Sequence, residues 1–239
     1  MPLYEDLSAV YDIVFPENKQ ATQFIAKSLK PKSRLLDLAC GTGNYTHALT
    51  LKGHTVVGID LDHNMIHAAK RKYPEESSAF FVGDMFEIDS IFNGRRFDAV
   101  YSIGNSLVHI PDRETVGKLA GKVFDLLNTG GMFIIQIVNY DRIRKYRIDS
   151  LPPIERKEEG VRFLRNYAFT DDPDHVFFNT ELIYGDKTQE NSVWLLALQS
   201  GDLKSILKSA GFSGIHLYGG YDGSEHGDES PATIFRAIT

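Results

Sequence analysis

Three apolar, β-branched runs in the first part of the chain each stop at an acid: Leu35-Leu36-Asp37, Thr55-Val56-Val57-Gly58-Ile59-Asp60 and Ala79-Phe80-Phe81-Val82-Gly83-Asp84. Between them lie stretches of helical periodicity, Tyr45 to Leu51 closed by Gly53, and Asn64 to Tyr73 closed by Pro74. Strand, helix and strand at this spacing mean βαβ units, hence parallel strands with helices on both faces. Ligands of such sheets sit beyond the carboxyl ends of the strands. All three acids fall there.

The pattern continues in both directions. Ahead of it, Ala21 to Leu29 reads as a helix stopped by Pro31, preceded by an aromatic leader with Tyr4, Tyr11 and Phe15. Behind it come a fourth strand, Phe97 to Ile103, a helix from Arg113 to Leu127, the turn Asn128 to Gly131 and a fifth strand, Met132 to Val138. Beyond Asn139 the period shortens: Val161 to Thr170, His175 to Tyr184 and Asn191 to Leu198 predict an antiparallel insertion of about forty residues that overhangs the strand ends. A helix from Asp202 to Ala210 and two strands, Gly214 to Gly220 and Ala232 to Ala237, end the chain, with a glycine-rich acidic loop, 221–230, expected to move. The expected organisation is a single domain over 1–239, an α/β doubly wound sheet with a leader or lid at 1–20 and an inserted antiparallel substrate-cover subdomain at 139–200.

Composition sets the bounds. An apolar share of 42% and a charged share of 24% suit a globular chain, and a net charge of −6 argues against nucleic acid as the main partner. One cysteine, Cys40, excludes an internal disulfide. No CxxC or HExxH spacing calls for a metal, no run approaches the ~18 apolar residues of a membrane span, and the start lacks a signal-peptide pattern. A cytoplasmic protein with no metal and no membrane partner is expected.

The turn Gly41-Thr42-Gly43-Asn44-Tyr45-Thr46 lets backbone approach a ligand closely and aims helix N–H groups at it. A dinucleotide needs a third glycine where Thr46 stands. It would also bring a pyrophosphate beside Asp37, and like charges ~4 Å apart cost about 4 kcal/mol at an effective dielectric near 20. A cationic ammonium or sulfonium suits that acid better, which favours S-adenosylmethionine. Asp60 follows Gly43 at close to the ~20-residue interval at which a second-strand acid takes ribose hydroxyls. Asp84 can accept the adenine amine, with Met65 and Met85 against the ring faces.

Leu-Asp-Leu-Ala-Cys-Gly-Thr-Gly, then Gly-Ile-Asp-Leu-Asp, Gly-Asp-Met and Phe-Asp-Ala-Val-Tyr-Ser resemble the class I S-adenosylmethionine-dependent methyltransferases, over Tyr4 to Val138 and more loosely over Gly211 to Ala237. The resemblance implies a Rossmann-like, seven-stranded, mostly parallel sheet whose last strand is antiparallel. It adds Ala39, Leu61, Ile103 and Gly104 to the cofactor set, with Tyr4 and Tyr11 closing the pocket. Gly104-Asn105-Ser106-Leu107-Val108-His109 and Asn139-Tyr140-Asp141 are similar to pieces of the glycine and sarcosine N-methyltransferases. Those enzymes place a carboxylate-binding arginine where this chain has Val138; Arg142, Arg144, Arg147 and Arg165 are the candidate replacements.

The expected activity is methyl transfer to a small-molecule amine. Asn105 and Ser106 would orient the acceptor, His109 would take its proton, Tyr11 would close over it, and Tyr140 and Tyr218 would stand on the substrate side. O- or C-methylation, a non-catalytic S-adenosylmethionine-binding regulator and an NAD-dependent oxidoreductase are the alternatives, and a homodimer is left open.

Overall fold

A computed structural model describes residues 10–239; Tyr4 lies outside them. In chain order the elements are α1 (Tyr11–Val14), α2 (Lys19–Lys27), β1 (Arg34–Leu38), α3 (Asn44–Thr50), β2 (Thr55–Asp60), α4 (His63–Lys72), β3 (Phe80–Val82), α5 (Ile88–Ile91) and β4 (Phe97–Ser102). Then follow α6 (Arg113–Leu126), β5 (Leu127–Val138), α7 (Tyr140–Lys145), β6 (Ser150–Arg156), β7 (Val161–Phe169), β8 (His175–Tyr184), β9 (Lys187–Leu196), α8 (Ser200–Ser209), β10 (Ser213–Tyr218) and β11 (Ala232–Ile238). None of the described helices is long and apolar enough to cross a membrane.

Seven strands form one sheet in the order β10-β11-β5-β4-β1-β2-β3, and β6 to β9 form a second, antiparallel one. In the large sheet β3, β2, β1, β4 and β5 run parallel, while β11 is antiparallel to both β5 and β10. Strand order reverses on either side of β1, whose Asp37 pairs with Gly58 on β2 and with Tyr101 on β4. Such a switch point opens a crevice at the carboxyl ends of the strands. The crevice is therefore flanked by the turn after β1 and the turn after β4.

Burial explains why the central strands read as unbroken apolar runs. Leu35, Leu36, Leu38, Ala99, Val100 and Tyr101 are fully buried because helices cover both faces. Helix α6 turns Val116, Leu119, Ala120, Val123 and Leu126 into the core with Phe133 and Ile135 of β5; each large apolar side chain so buried contributes about 1.5–3 kcal/mol. Asx caps fix the helix starts: Asn18 accepts from the Gln20 and Ala21 N–H groups, Asp62 from Asn64 and Met65, and Asp112 from Thr115.

Four details depart from the sequence reading. The turn expected before β5 falls inside it, as an irregularity in which the register jumps from Phe97↔Leu127 to Ala99↔Met132. The insertion has four strands: β6 carries Pro152 and Pro153, which disguise it, and it is tolerated because it is an edge whose register shifts between Leu151 and Ile154. The expected polar break before the last of these strands is only the hairpin turn Gly185-Asp186, since Tyr184 already pairs with Lys187. Loop 221–230 is also tied down. Glu225 bridges to Tyr218, the Asn139 amide donates to the Gly227 and Ser230 carbonyls, and Lys145 pairs with Asp228.

Candidate active site

A cavity of about 650 Å³ opens at the switch point, a size typical of ligand pockets. Its floor comes from the turn after β1 (Asp37, Ala39, Cys40, Thr42), one side from the turn after β4 (Ile103, Gly104, Asn105, His109) and from Gln136 and Val138 of β5. The leader and the start of α2 supply Tyr11, Phe15 and Asn18, and the small sheet supplies the roof: Leu151, Phe163, Arg165, Tyr167 and Phe178.

The floor is built around two carboxylates. Asp37, 2% exposed, accepts from the Thr46 hydroxyl at 2.8 Å. Thr46, which looked like an absent third glycine, is thus a fully buried donor to that acid. Burial raises the Asp37 carboxyl to about 7, against the pull of its hydrogen bonds. Asp60 accepts from the Gly41 N–H at 2.7 Å and the Asp62 N–H at 2.9 Å; burial raises its pKa too. Gly43 caps α3 at φ +80, and a Cβ there would stand 2.5 Å from the Phe80 ring, so this glycine answers to packing as well as to backbone geometry.

The arrangement suits a cation rather than a pyrophosphate. The Gly41 N–H is already taken by Asp60 and the Gly43 N–H donates to the Cys40 carbonyl. A third carboxylate, Asp12, reaches the same turn, accepting from the Thr42 hydroxyl at 2.5 Å, the Asn44 amide at 2.8 Å and Lys72 at 2.5 Å. This latch holds Tyr11 over Gly41, where an added Cβ would lie 3.4 Å from its ring. Beside Asp60, Leu61 and Val82 are 60% and 54% exposed, an apolar shelf along the ends of β2 and β3 that could hold an adenine ring.

The wall after β4 is a turn stitched to β5. Gly104 and Asn105 both take positive φ, +85 and +72, which glycine and asparagine tolerate best. The Gln136 side-chain oxygen accepts the Gly104 N–H at 2.8 Å, the Gln136 carbonyl accepts the Asn105 N–H, and Asn105 Oδ1 accepts the Val138 N–H at 2.9 Å. Asn105 Nδ2 donates to the Tyr140 hydroxyl at 3.3 Å. His109 lies at the end of the short turn 106–109, and burial depresses its pKa to about 4.

Of the residues selected from sequence, Tyr11, Asp37, Ala39, Ile103, Gly104, Asn105 and His109 line the cavity, with Gly41, Asp60 and Leu61 adjoining it. Others stand elsewhere. Tyr140 is fully buried under Asn105, Met65 is 1% exposed inside the α4 packing, and Met85 packs against the main core. Asp84 caps the Phe86 N–H, Ser106 donates to the Ile103 carbonyl, and Tyr218 packs edge-on against Phe24 on the outer strand pair. Sequence spacing carries no depth, which is why buried and exposed members of one stretch looked alike. Gln136, Phe163, Tyr167 and Phe178 had not been singled out; the alternation of Phe163, Arg165 and Tyr167 on one strand face was the available signal.

Comparison with known proteins agrees with this geometry. Residues 35–131 match the family model described as "Methyltransferase domain". A Bacillus subtilis (strain 168) protein named as a methyltransferase, YqeM, is 26% identical over 98% of this chain and 96% of its own length. Mouse glycine N-methyltransferase is 32% identical over 46% of this chain but only 42% of that enzyme. An S-adenosylmethionine-dependent methyltransferase from Clostridium acetobutylicum ATCC 824 superposes with a TM-score of 0.81 at 21% identity, covering 99% of this chain and 98% of that one. With the glycine turn, the strand-end acids and the sheet order in place, residues 35–131 match a methyltransferase domain and the whole chain shares the fold of an S-adenosylmethionine-dependent methyltransferase.

Proposed function

We propose that the protein transfers a methyl group to a small-molecule amine held between the Gly104–Asn105 turn and the small sheet. The observation that carries this reading is the Gly104–Asn105 turn in the cavity wall, where Gln136 binds the Gly104 N–H and the buried His109 imidazole brings no positive charge at neutral pH. An uncharged imidazole there does not repel a cationic methyl donor and is too weak a base to ionise a hydroxyl or strip an ammonium, so the fitting nucleophile is an amine that arrives uncharged.

S-adenosylmethionine, when bound, supplies a methyl group on a sulfonium that needs no further activation. The chain's task is then alignment and exclusion of water. Asp37 would face the cofactor's positive charge, Asp60 the ribose hydroxyls, and Leu61 with Val82 one face of the adenine. Ala39 and Ile103 would close on it from the turns, and Tyr11 from the leader. With its N–H bound to Gln136, Gly104 would turn to the amine beside Asn105 a carbonyl that accepts no hydrogen bond among the described residues. The small sheet, over 150–196, would act as the substrate cover, and His109 would accept a hydrogen bond from the amine rather than its proton.

Thermal denaturation with S-adenosylmethionine, S-adenosylhomocysteine and NAD tests the cofactor assignment. A ligand at 100 times its Kd raises stability by about 2.7 kcal/mol, and that rise is expected with the first two alone. Turnover on a panel of amines, with matched alcohols as controls, tests the acceptor. Methylation of the alcohols but not the amines overturns the reading.

A further inference from the structure

The roof of the cavity carries one charge. On the inner face of β7, Phe163, Arg165 and Tyr167 follow at two-residue spacing and all three line the cavity, with Leu151 and Phe178 beside them. Phe163 and Tyr167 are 2% and 4% exposed, so Arg165 is set in an apolar surface. Among the described residues no carboxylate pairs with it: one Nη donates to the Pro152 carbonyl at 2.8 Å, its Nε is buried without a partner, and burial lowers its pKa. An inward charge on an edge strand could serve to block pairing. β7 is flanked by β6 and β8, so that explanation fails.

A half-buried guanidinium with no counter-charge is costly unless something else supplies one. The bond to Pro152 fills the gap in β6 pairing left by the prolines, but it uses one of five N–H groups. The carboxylates of the cavity are spoken for or remote in role: Glu17 accepts from Thr22 at 2.7 Å, and Asp37 is bound on the floor by Thr46. A second cation, Lys19, lines the cavity from the start of α2. None of the described residues supplies the counter-charge that Arg165 lacks, which points to a ligand as its source.

We infer that the methyl acceptor is an amine bearing an oxyanion, foremost a carboxylate, on an apolar or aromatic body, and that Arg165 selects it. This rests on the amine reading above. The aromatic roof suits a body larger than glycine, and a planar guanidinium favours a carboxylate, which it can grip with two parallel N–H bonds. Val138 and Gln136 line the same cavity from β5, neither of them charged, so the anion-binding role falls to the roof rather than to the sheet below.

The test compares phenylalanine with phenethylamine, and tyramine with its phosphate ester, for wild type, Arg165→Gln and Arg165→Lys at saturating S-adenosylmethionine. Glutamine keeps a donor for the Pro152 carbonyl, so folding is expected to survive; the Kd for S-adenosylhomocysteine is measured on each variant. Wild type is expected to favour the anionic member of a pair by about ten- to a hundredfold in kcat/KM, the size of a charge-assisted hydrogen bond. Arg165→Gln loses that preference through KM, with S-adenosylhomocysteine affinity within about twofold of wild type, and Arg165→Lys keeps part of it. Preference for the phosphate ester alone replaces the carboxylate by a phosphate and keeps the site. Equal use of both members of each pair by wild type overturns the inference, as does a fall in S-adenosylhomocysteine affinity for Arg165→Gln as large as the fall in acceptor affinity, which would assign Arg165 to the cofactor. If no amine is methylated, 3-phenylpropionate and 3-phenylpropanol are compared for stabilisation of the S-adenosylhomocysteine complex. Stabilisation by the acid in wild type but not in Arg165→Gln retains the oxyanion site while the amine reading falls, and no stabilisation by either overturns both.

Discussion

The two walls of the cavity are built by opposite means. The floor is mostly one contiguous stretch, β1 to α3, held by the short-range bonds from Thr46 to Asp37 and from the Gly43 N–H to the Cys40 carbonyl, and completed from the adjacent strand β2 by Asp60, which accepts the Gly41 N–H. The roof is a separate antiparallel sheet whose inner residues come from three strands and meet the leader through apolar contact, Val10 and Val14 with Val161, Phe163 and Leu182. A floor of that kind can serve one fixed ligand. On the proposed reading, a roof of that kind would change its acceptor by changing side chains while the cofactor site stays as it is, one way in which one fold can carry many methyl acceptors.

The sharpest way to break this division is at the floor. Gly43→Ala is expected to cost about 2–4 kcal/mol in urea denaturation, because it combines left-handed backbone with a Cβ driven into Phe80. Asp60→Ala comes next. It should weaken S-adenosylhomocysteine binding roughly a hundredfold while lowering fold stability by only about 1 kcal/mol, since the cost of freeing two part-buried N–H groups is offset by removing a carboxylate whose charge burial disfavours. Equal loss of both would make Asp60 a backbone cap and nothing more.

Asp37 gives the floor a pH signature. Its carboxyl, ordinarily ionised near pH 4, is held up at about 7 by burial, so the protonated form favours the empty fold. Stability of the empty protein is therefore expected to decline as pH rises from about 4 through 7. A cationic ligand favours the ionised form, so cofactor affinity should rise with pH by up to about tenfold per unit and level off above 7. Asp37→Asn should flatten both curves. The smallest effect is expected at the latch: Asp12→Ala removes two side-chain hydrogen bonds and an exposed ion pair, and should lower cofactor affinity about three- to tenfold without moving acceptor preference.

The same contrast explains what could be read from the sequence. The floor was legible because its parts are neighbours in the chain: an apolar strand, an acid and a glycine turn announce one another over a dozen positions. Its depth was not. Tyr140 and Met65 were expected to touch ligands and are buried, because a motif fixes position along the chain and not distance from the surface. Thr46 read as the loss of a glycine, whereas it is the donor to Asp37. In the roof, β7 to β9 were visible from their β-branched and aromatic content, and β6 was hidden by its prolines. That Arg165 rather than Arg142, Arg144 or Arg147 faces the cavity depends on which side of β7 is turned inward, and only the assembled sheet decides it.

The central claim is that cofactor and acceptor are held by separate walls, and calorimetric titration of S-adenosylhomocysteine tests it most directly. Performed on wild type, Asp60→Ala and Arg165→Gln side by side, it should give a roughly hundredfold weaker Kd for Asp60→Ala and an unchanged one for Arg165→Gln. A loss at Arg165→Gln matching that at Asp60→Ala would contradict the account, because roof and floor would then hold the same ligand.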